Sequence, residues 1–159
     1  MDKPKIDICN QMINEMTVIF AAKSSNEGLA RSVVAAFASQ LDPTIEELAD
    51  VRTAVSEAVT NSIIHAYGNS VRQDSFYEIK MTCKLYSNRL DIIIVDYGKG
   101  IEDIKKAREP LFTTSPETER SGMGFTVMEA FMDKLEINSI IGEGTTVSMS
   151  KIFNSLLQR

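Results

Sequence analysis

One histidine and two cysteines occur in 159 residues, and that scarcity removes several chemistries at once. Cys9 and Cys83 stand far apart with no paired-ligand spacing, so neither a disulfide framework nor a zinc site is expected, and Cys83 reads as a core residue. No uninterrupted apolar run approaches the length of a membrane span, and the opening MDKPKIDICNQM lacks a signal-peptide core. Both absences predict a soluble, cytoplasmic protein with no membrane partner. Positive charge is also in deficit: 17 Lys and Arg against 22 Asp and Glu give a formal net charge of −5. A protein that grips a nucleic-acid backbone needs the opposite sign, so no direct nucleic-acid contact is expected, and any nucleotide bound should be small. No repeat or low-complexity segment is visible. What is present is a chain 43 % hydrophobic and 25 % charged, enough for one domain with a buried core and too little for a second large one.

The expected organisation is a lead-in over 1–14, a domain over 15–153 and a tail over 154–159. EMTVIFAA, Glu15 to Ala22, is rich in β-branched and aromatic residues and reads as a strand. Ser24, Ser25 and Asn26 offer helix caps, and Leu29, Val33, Phe37 and Leu41 then repeat every four residues as an apolar helical stripe, with Arg31 off it. Thr44 and Glu47 have the spacing of a capping box, and the helix they open runs through VRTAVSEAVTNSIIHAYG. Tyr77 to Tyr86 alternates apolar and polar residues, as a strand with one wet face does. LDIIIVD alternates little and predicts a central strand covered more completely, paired with its predecessor as an antiparallel hairpin. A short helical segment, Glu102 to Arg108, leads into a long loop with Pro110 and Pro116, expected to act as a lid from Glu109 to Ser121. SGMGF opens a further helix with Val127 and Phe131 on its inner side, and KLEINSI and TTVSMSKIF are strands joined by IGEG. The sum is an α+β fold, helices layered on one face of a mostly antiparallel mixed sheet.

The helix around Val51 to Gly68 has two faces. Val51, Val55, Ala58, Val59, Ser62 and Ile63 form one apolar stripe, while Glu57, Asn61 and His65 lie one turn apart along a second line. Asn61 offers an amide oxygen of the kind Mg²⁺ accepts, and Glu57 a carboxylate able to take a proton from an attacking hydroxyl. His65 reads more readily as a helix-face residue than as a phosphate contact. Asp96 ends a buried strand, where its carboxylate accepts hydrogen bonds; adenine presents an amino donor where guanine presents a carbonyl. Gly98 and Gly100 would let the chain approach base and sugar without a Cβ in the way. SGMGF at a helix start is a plausible phosphate cradle, since first-turn N–H groups are unpaired there, although neither a P-loop nor a dinucleotide fingerprint is present. GEGTT is a hairpin turn or a further wall of the base pocket. Each pattern alone is common.

In this order, E57xxxN61, D96xG98xG100, G122xG124 and G142xG144T145 resemble the four nucleotide boxes of the GHKL ATPase and kinase superfamily, whose members have the Bergerat fold. SEAVTNSIIHAY and PLFTTSPETERSGMGF are similar more particularly to the anti-sigma F family of endospore-forming bacteria. The resemblance implies an ATP-dependent, Mg²⁺-requiring serine kinase that is also an inhibitor: a homodimer that holds a sporulation sigma factor and phosphorylates a serine of its anti-anti-sigma antagonist. It implies Glu57 as general base, Asn61 as Mg²⁺ ligand, and Asp96 as adenine contact. Gly98, Gly100, Ile101, Thr113, Thr114, Ser121, Gly122, Met123, Gly124 and Thr145 complete the implied nucleotide site, with Arg31 facing the sigma factor and Arg120 the antagonist. Rival readings remain at this level: a stress-response anti-sigma kinase, a pocket without catalysis, a sensor histidine kinase, and an ATP-driven clamp. The last two expect a separate phospho-accepting histidine or a following domain for which the chain leaves no room.

Overall fold

The computed structural model describes residues 10–67, 77–110 and 123–154. Strand β1 (Asn14–Ala21) leads into helix α1 (Ser25–Ala38), which tightens into a 3₁₀ turn, Ser39–Leu41. Helix α2 (Ile45–Asn61) runs on into a π-helical turn, Ser62–Ala66. Then follow β2 (Glu78–Leu85), β3 (Arg89–Asp96), the short α3 (Ile104–Ala107), α4 (Gly124–Phe131), β4 (Lys134–Ile140) and β5 (Gly144–Ile152). The sheet order is β1-β2-β3-β5-β4. Every neighbouring pair is antiparallel, so the mixed sheet expected from sequence is in fact uniformly antiparallel.

Strand β3 is central as expected, but its burial strictly alternates instead of being complete. Leu90, Ile92 and Ile94 are buried, while Ile93 and Val95 on the opposite face are only half-buried. The reason is layering: α1 and α2 join one contiguous core with the buried face, through Ala30, Val34 and Phe37 of α1 and Val51, Ala54, Val55, Ala58 and Val59 of α2. A run of β-branched residues therefore marks the middle of the sheet here without implying cover on both sides.

Helix α2 starts where its sequence says it should. Thr44 accepts from the amide of Glu47, and the Glu47 carboxylate accepts from the amide of Thr44, a complete capping box. By contrast, Ser24 sits at the N-cap of α1 without a side-chain cap. The inner face of α1 is Ala30, Val34, Phe37 and Ala38, continued by Leu41 of the 3₁₀ turn; Leu29 is 51 % exposed. In α4 the inner residues are Gly124 and Met128, and Phe131 is turned outward. Gly124 packs against α2 where a Cβ would lie 3.0 Å from Asn61 Oδ1, and Ala30 is the buried small residue of α1, which packs on α2.

Candidate functional site

The site grows from the end of α2. Ser62 lies in the apolar stripe, and a buried hydroxyl there needs a partner. It finds one in Asp96 Oδ2, to which it donates at 3.0 Å. The other oxygen, Oδ1, accepts from the amides of Gly98 at 3.1 Å and Thr145 at 3.2 Å. Asp96 is only 5 % exposed, and burial raises its carboxyl above the ordinary carboxylate range against the lowering effect of those three hydrogen bonds. The strand end therefore presents a desolvated acceptor whose Oδ1 is already engaged by backbone.

The turn after Asp96 is built by close contact with other elements. A Cβ on Gly98 would lie 2.4 Å from the carbonyl oxygen of Ala66, at the end of the π turn. Gly100 has φ +79°, and a Cβ there would meet the carbonyl of Ile140 at 2.4 Å. Both positions are crowded by protein, so a side chain at either would collide with backbone whatever occupies the cleft. Gly144, at φ +124°, is tighter still, with a Cβ position 2.1 Å from the carbonyl oxygen of Asp96. We predict that Gly144→Ala destabilises the fold by at least ~1–3 kcal/mol, read as a lowered thermal midpoint, because it adds strain at φ to a direct backbone collision.

A cleft of about 1020 Å³ opens over this floor, and it brings together Asn61, Asp96, Gly100, Ile101, Gly124 and Thr145 of the residues singled out from sequence. Its volume is of the size that holds a nucleotide-sized ligand. Asn61 lies where α2 meets α4; a Cβ on Gly124 would sit 3.0 Å from Asn61 Oδ1, so glycine is what lets the amide reach the helix start. Met123, at the N-cap of α4, supplies no side-chain acceptor to the first-turn amides. Glu57 is half-buried one turn before Asn61 and is not among the residues lining the cleft. The Ile101 amide is taken by Ser139 Oγ at 2.7 Å, and Ile101 lines the cleft. Thr113, Thr114, Arg120, Ser121 and Gly122, with most of the expected lid, lie outside the described residues.

Arg31 stands apart on α1, its side chain 42 % exposed, with Nε 3.1 Å from Glu27 Oε1. That contact is an ion pair without hydrogen-bond alignment, and the same Glu27 oxygen accepts from Ser56 of α2. Arg31 is thus held by its neighbour instead of being freely solvated.

Several lining or supporting residues escaped sequence reading. Ser62 was countable as a polar residue inside an apolar stripe, a signal that a buried acceptor must face it. Tyr67, whose Oη accepts from the Tyr97 amide and donates to the Glu78 carbonyl, both at 2.7 Å, gave no signal in sequence. Neither did Ser139, nor Lys99 and Ile141 on the cleft wall, since each depends on which loops meet. His65 also lines the cleft.

An antiparallel sheet backed by α1 and α2, with a cleft between the end of α2, the β3 turn and the start of α4, is the architecture of a histidine kinase-like ATPase domain, and the family model of that description matches residues 20–151. Among its relatives, an anti-sigma F factor from Caldanaerobacter subterraneus subsp. tengcongensis is 57 % identical over 138 residues, covering 87 % of this chain and 93 % of that protein. Anti-sigma F factors from Thermoanaerobacter sp. (strain X514) and Clostridium novyi (strain NT) are 56 % and 54 % identical, covering 89 % and 90 % of this chain and 96 % and 97 % of theirs. The chain belongs to the anti-sigma F factor family. Solved structures agree on the fold: the RsbU and RsbW domains of a Mycobacterium tuberculosis protein superpose with a TM-score of 0.62 at 16 % identity over 89 % of this chain. A blue-light activated histidine kinase of Erythrobacter litoralis does so with 0.54 at 19 % identity over 74 %. The chain spans only 33 % and 34 % of those two proteins.

Proposed function

We propose that this chain binds ATP in the cleft, holds a sporulation sigma factor away from transcription, and transfers the γ-phosphoryl group to a serine of a small anti-anti-sigma protein. The observation that supports this most is the buried Asp96 acceptor on the floor of a cleft shared with Asn61 and the start of α4, in a chain this similar to anti-sigma F factors. Residues 15–153 would form the working domain of a cytoplasmic homodimer, with 1–14 and 154–159 outside it.

In this reading Asp96 Oδ2 accepts from the amino group of adenine, Ile101 and Thr145 bound the base, and the uncapped first turn of α4, with Met123 and Gly124, faces the phosphates. The donor set fits Mg²⁺ through Asn61 alone: among the described residues no group of three or more His, Cys, Asp or Glu could hold a metal, so the remaining ligands would be phosphate oxygens and water. Bound Mg²⁺ would supply charge neutralisation at the phosphates. Glu57 would accept the proton of the attacking serine hydroxyl. Thr113, Thr114, Ser121 and Gly122 for the phosphates, and Arg120 for the antagonist, rest on the resemblance of their strings.

The test is to mix the purified chain with labelled ATP, Mg²⁺ and candidate antagonists. Acid-stable label on an antagonist serine is expected, together with capture of the sigma factor; label on histidine or on no protein contradicts the reading. Arg31→Ala should weaken sigma-factor capture while changing stability by no more than about 0.5 kcal/mol, because a half-exposed ion pair contributes little to folding. Co-purification and a melting curve on the same sample check both parts, and an equal loss of antagonist binding would remove Arg31 from the sigma-factor surface.

A further inference from the structure

Adenine recognition by Asp96 leaves open why the turn behind it is tied so thoroughly. Its backbone amides are taken in series: Tyr97 by Tyr67 Oη at 2.7 Å, Gly98 by Asp96 Oδ1 at 3.1 Å, Lys99 by the Ala66 carbonyl at 3.1 Å, and Ile101 by Ser139 Oγ at 2.7 Å. The Gly142 amide returns to the Lys99 carbonyl at 2.8 Å. Two of these anchors are side-chain hydroxyls, one at each end of the turn. Each is itself oriented by further bonds, Tyr67 by donating to the Glu78 carbonyl, and Ser139 through the Gly144 carbonyl at 3.1 Å and the Thr145 hydroxyl at 2.8 Å. The ring of Tyr67 has a separate role, stacking on Tyr77 with centroids 4.6 Å apart. Hydroxyl and ring can therefore be tested apart.

A carboxylate alone does not exclude guanine. Next to its carbonyl, guanine carries N1–H and a 2-amino group, two donors that a carboxylate able to present both oxygens would accept. Asp96 presents one, because Oδ1 is held by the Gly98 and Thr145 amides, and Gly98 lies inside the tied turn. Loosening the turn would release the Gly98 amide from Oδ1, leaving the Thr145 amide of β5 as its one remaining partner, and so open an acceptor position to the second donor of guanine. We propose that Tyr67 and Ser139 are positioning residues for base selectivity: their hydroxyls pin the two ends of the 97–101 turn so that Asp96 offers a single oxygen, matched to adenine. This rests on the reading above that adenine meets Asp96.

The test measures ATP and GTP affinity, with Mg²⁺ and the full chain, for the wild type, Tyr67→Phe, Ser139→Ala, Ser139→Thr and Asp96→Asn, with a melting curve for each. Tyr67→Phe keeps the stacked ring and Ser139→Thr keeps the hydroxyl on a strand that favours β-branched residues. Tyr67→Phe and Ser139→Ala should each lower the ATP-to-GTP affinity ratio about tenfold, the order of one hydrogen bond to the carboxylate gained by guanine alone. Ser139→Thr should retain the wild-type ratio. If Tyr67→Phe and Ser139→Ala keep the ratio and lose only thermal stability or overall affinity, the hydroxyls are structural and the proposal is overturned, while loss of ATP by Asp96→Asn would leave the adenine reading standing. Undiminished ATP affinity in Asp96→Asn would overturn both.

Discussion

Glu57→Gln should slow phosphorylation of the antagonist by roughly 10²–10⁴, the usual worth of a general base, and leave ATP affinity nearly unchanged. The substitution keeps the shape of the side chain and removes only its ability to take a proton. Phosphoryl transfer asks a protein mainly for positioning and charge stabilisation, and those belong to other groups here: Asn61 one turn on, and the start of α4 against it. Glu57 is half-buried and outside the residues lining the cleft, so the ground-state nucleotide complex should barely register its charge. Sigma-factor capture with ATP should persist, and the antagonist, no longer inactivated, should keep competing for as long as ATP lasts. Single-turnover transfer measured beside an equilibrium titration separates the two effects. Loss of ATP binding in proportion to activity would make Glu57 a structural or metal-shell residue.

Asp96→Asn should lose about ten- to a hundredfold in affinity for ATP and ADP alike, since a charge-assisted hydrogen bond is worth about 1.5–3 kcal/mol and both nucleotides carry the same base. The loss comes from a donor meeting a donor. With Oδ1 kept by the Gly98 and Thr145 amides, the new amide nitrogen takes the place of Oδ2, donates to Ser62, and turns its second hydrogen toward the adenine amino group. The fold should tolerate the change, because every protein contact of the carboxylate has a counterpart in the amide. Stability should also become less dependent on pH. Burial raises the Asp96 carboxyl above its unfolded value, so its contribution to folding is fully present below the unfolded value and is lost as pH rises through the folded one. Asparagine removes that segment of the curve. In the wild type, ATP affinity should fall as acid protonates the acceptor.

Much of this was legible in the sequence because it depends on local rules. The capping box at Thr44 and Glu47, the apolar stripe from Val51 to Ile63 and the alternation of Ile79, Met81, Cys83 and Leu85 are all as expected. Asp96 was found as the polar end of an apolar strand. Local rules failed where two apolar phases of one segment overlap: Leu29, Val33, Phe37 and Leu41 repeat every four residues and so do Ala30, Val34 and Ala38, and the buried set of Ala30, Val34, Phe37, Ala38 and Leu41 is drawn from both. They could not show what crowds the glycines. DxGxG announced a turn correctly, but the atoms that forbid a Cβ belong to Ala66 and Ile140, far away in sequence. The π turn at Ser62–Ala66 left no mark on composition, although it carries the Ala66 carbonyl that receives the Lys99 amide.

The central claim is that an adenine nucleotide enters this cleft with its base on Asp96, and the most direct measurement is an equilibrium titration of the unmodified chain with ATP, ADP and GTP in the presence of Mg²⁺. ATP and ADP should saturate a single site per chain, and GTP should neither bind detectably at the concentrations that saturate with ATP nor displace it. GTP binding as tightly as ATP, or ATP binding unaffected by Asp96→Asn, would contradict the account.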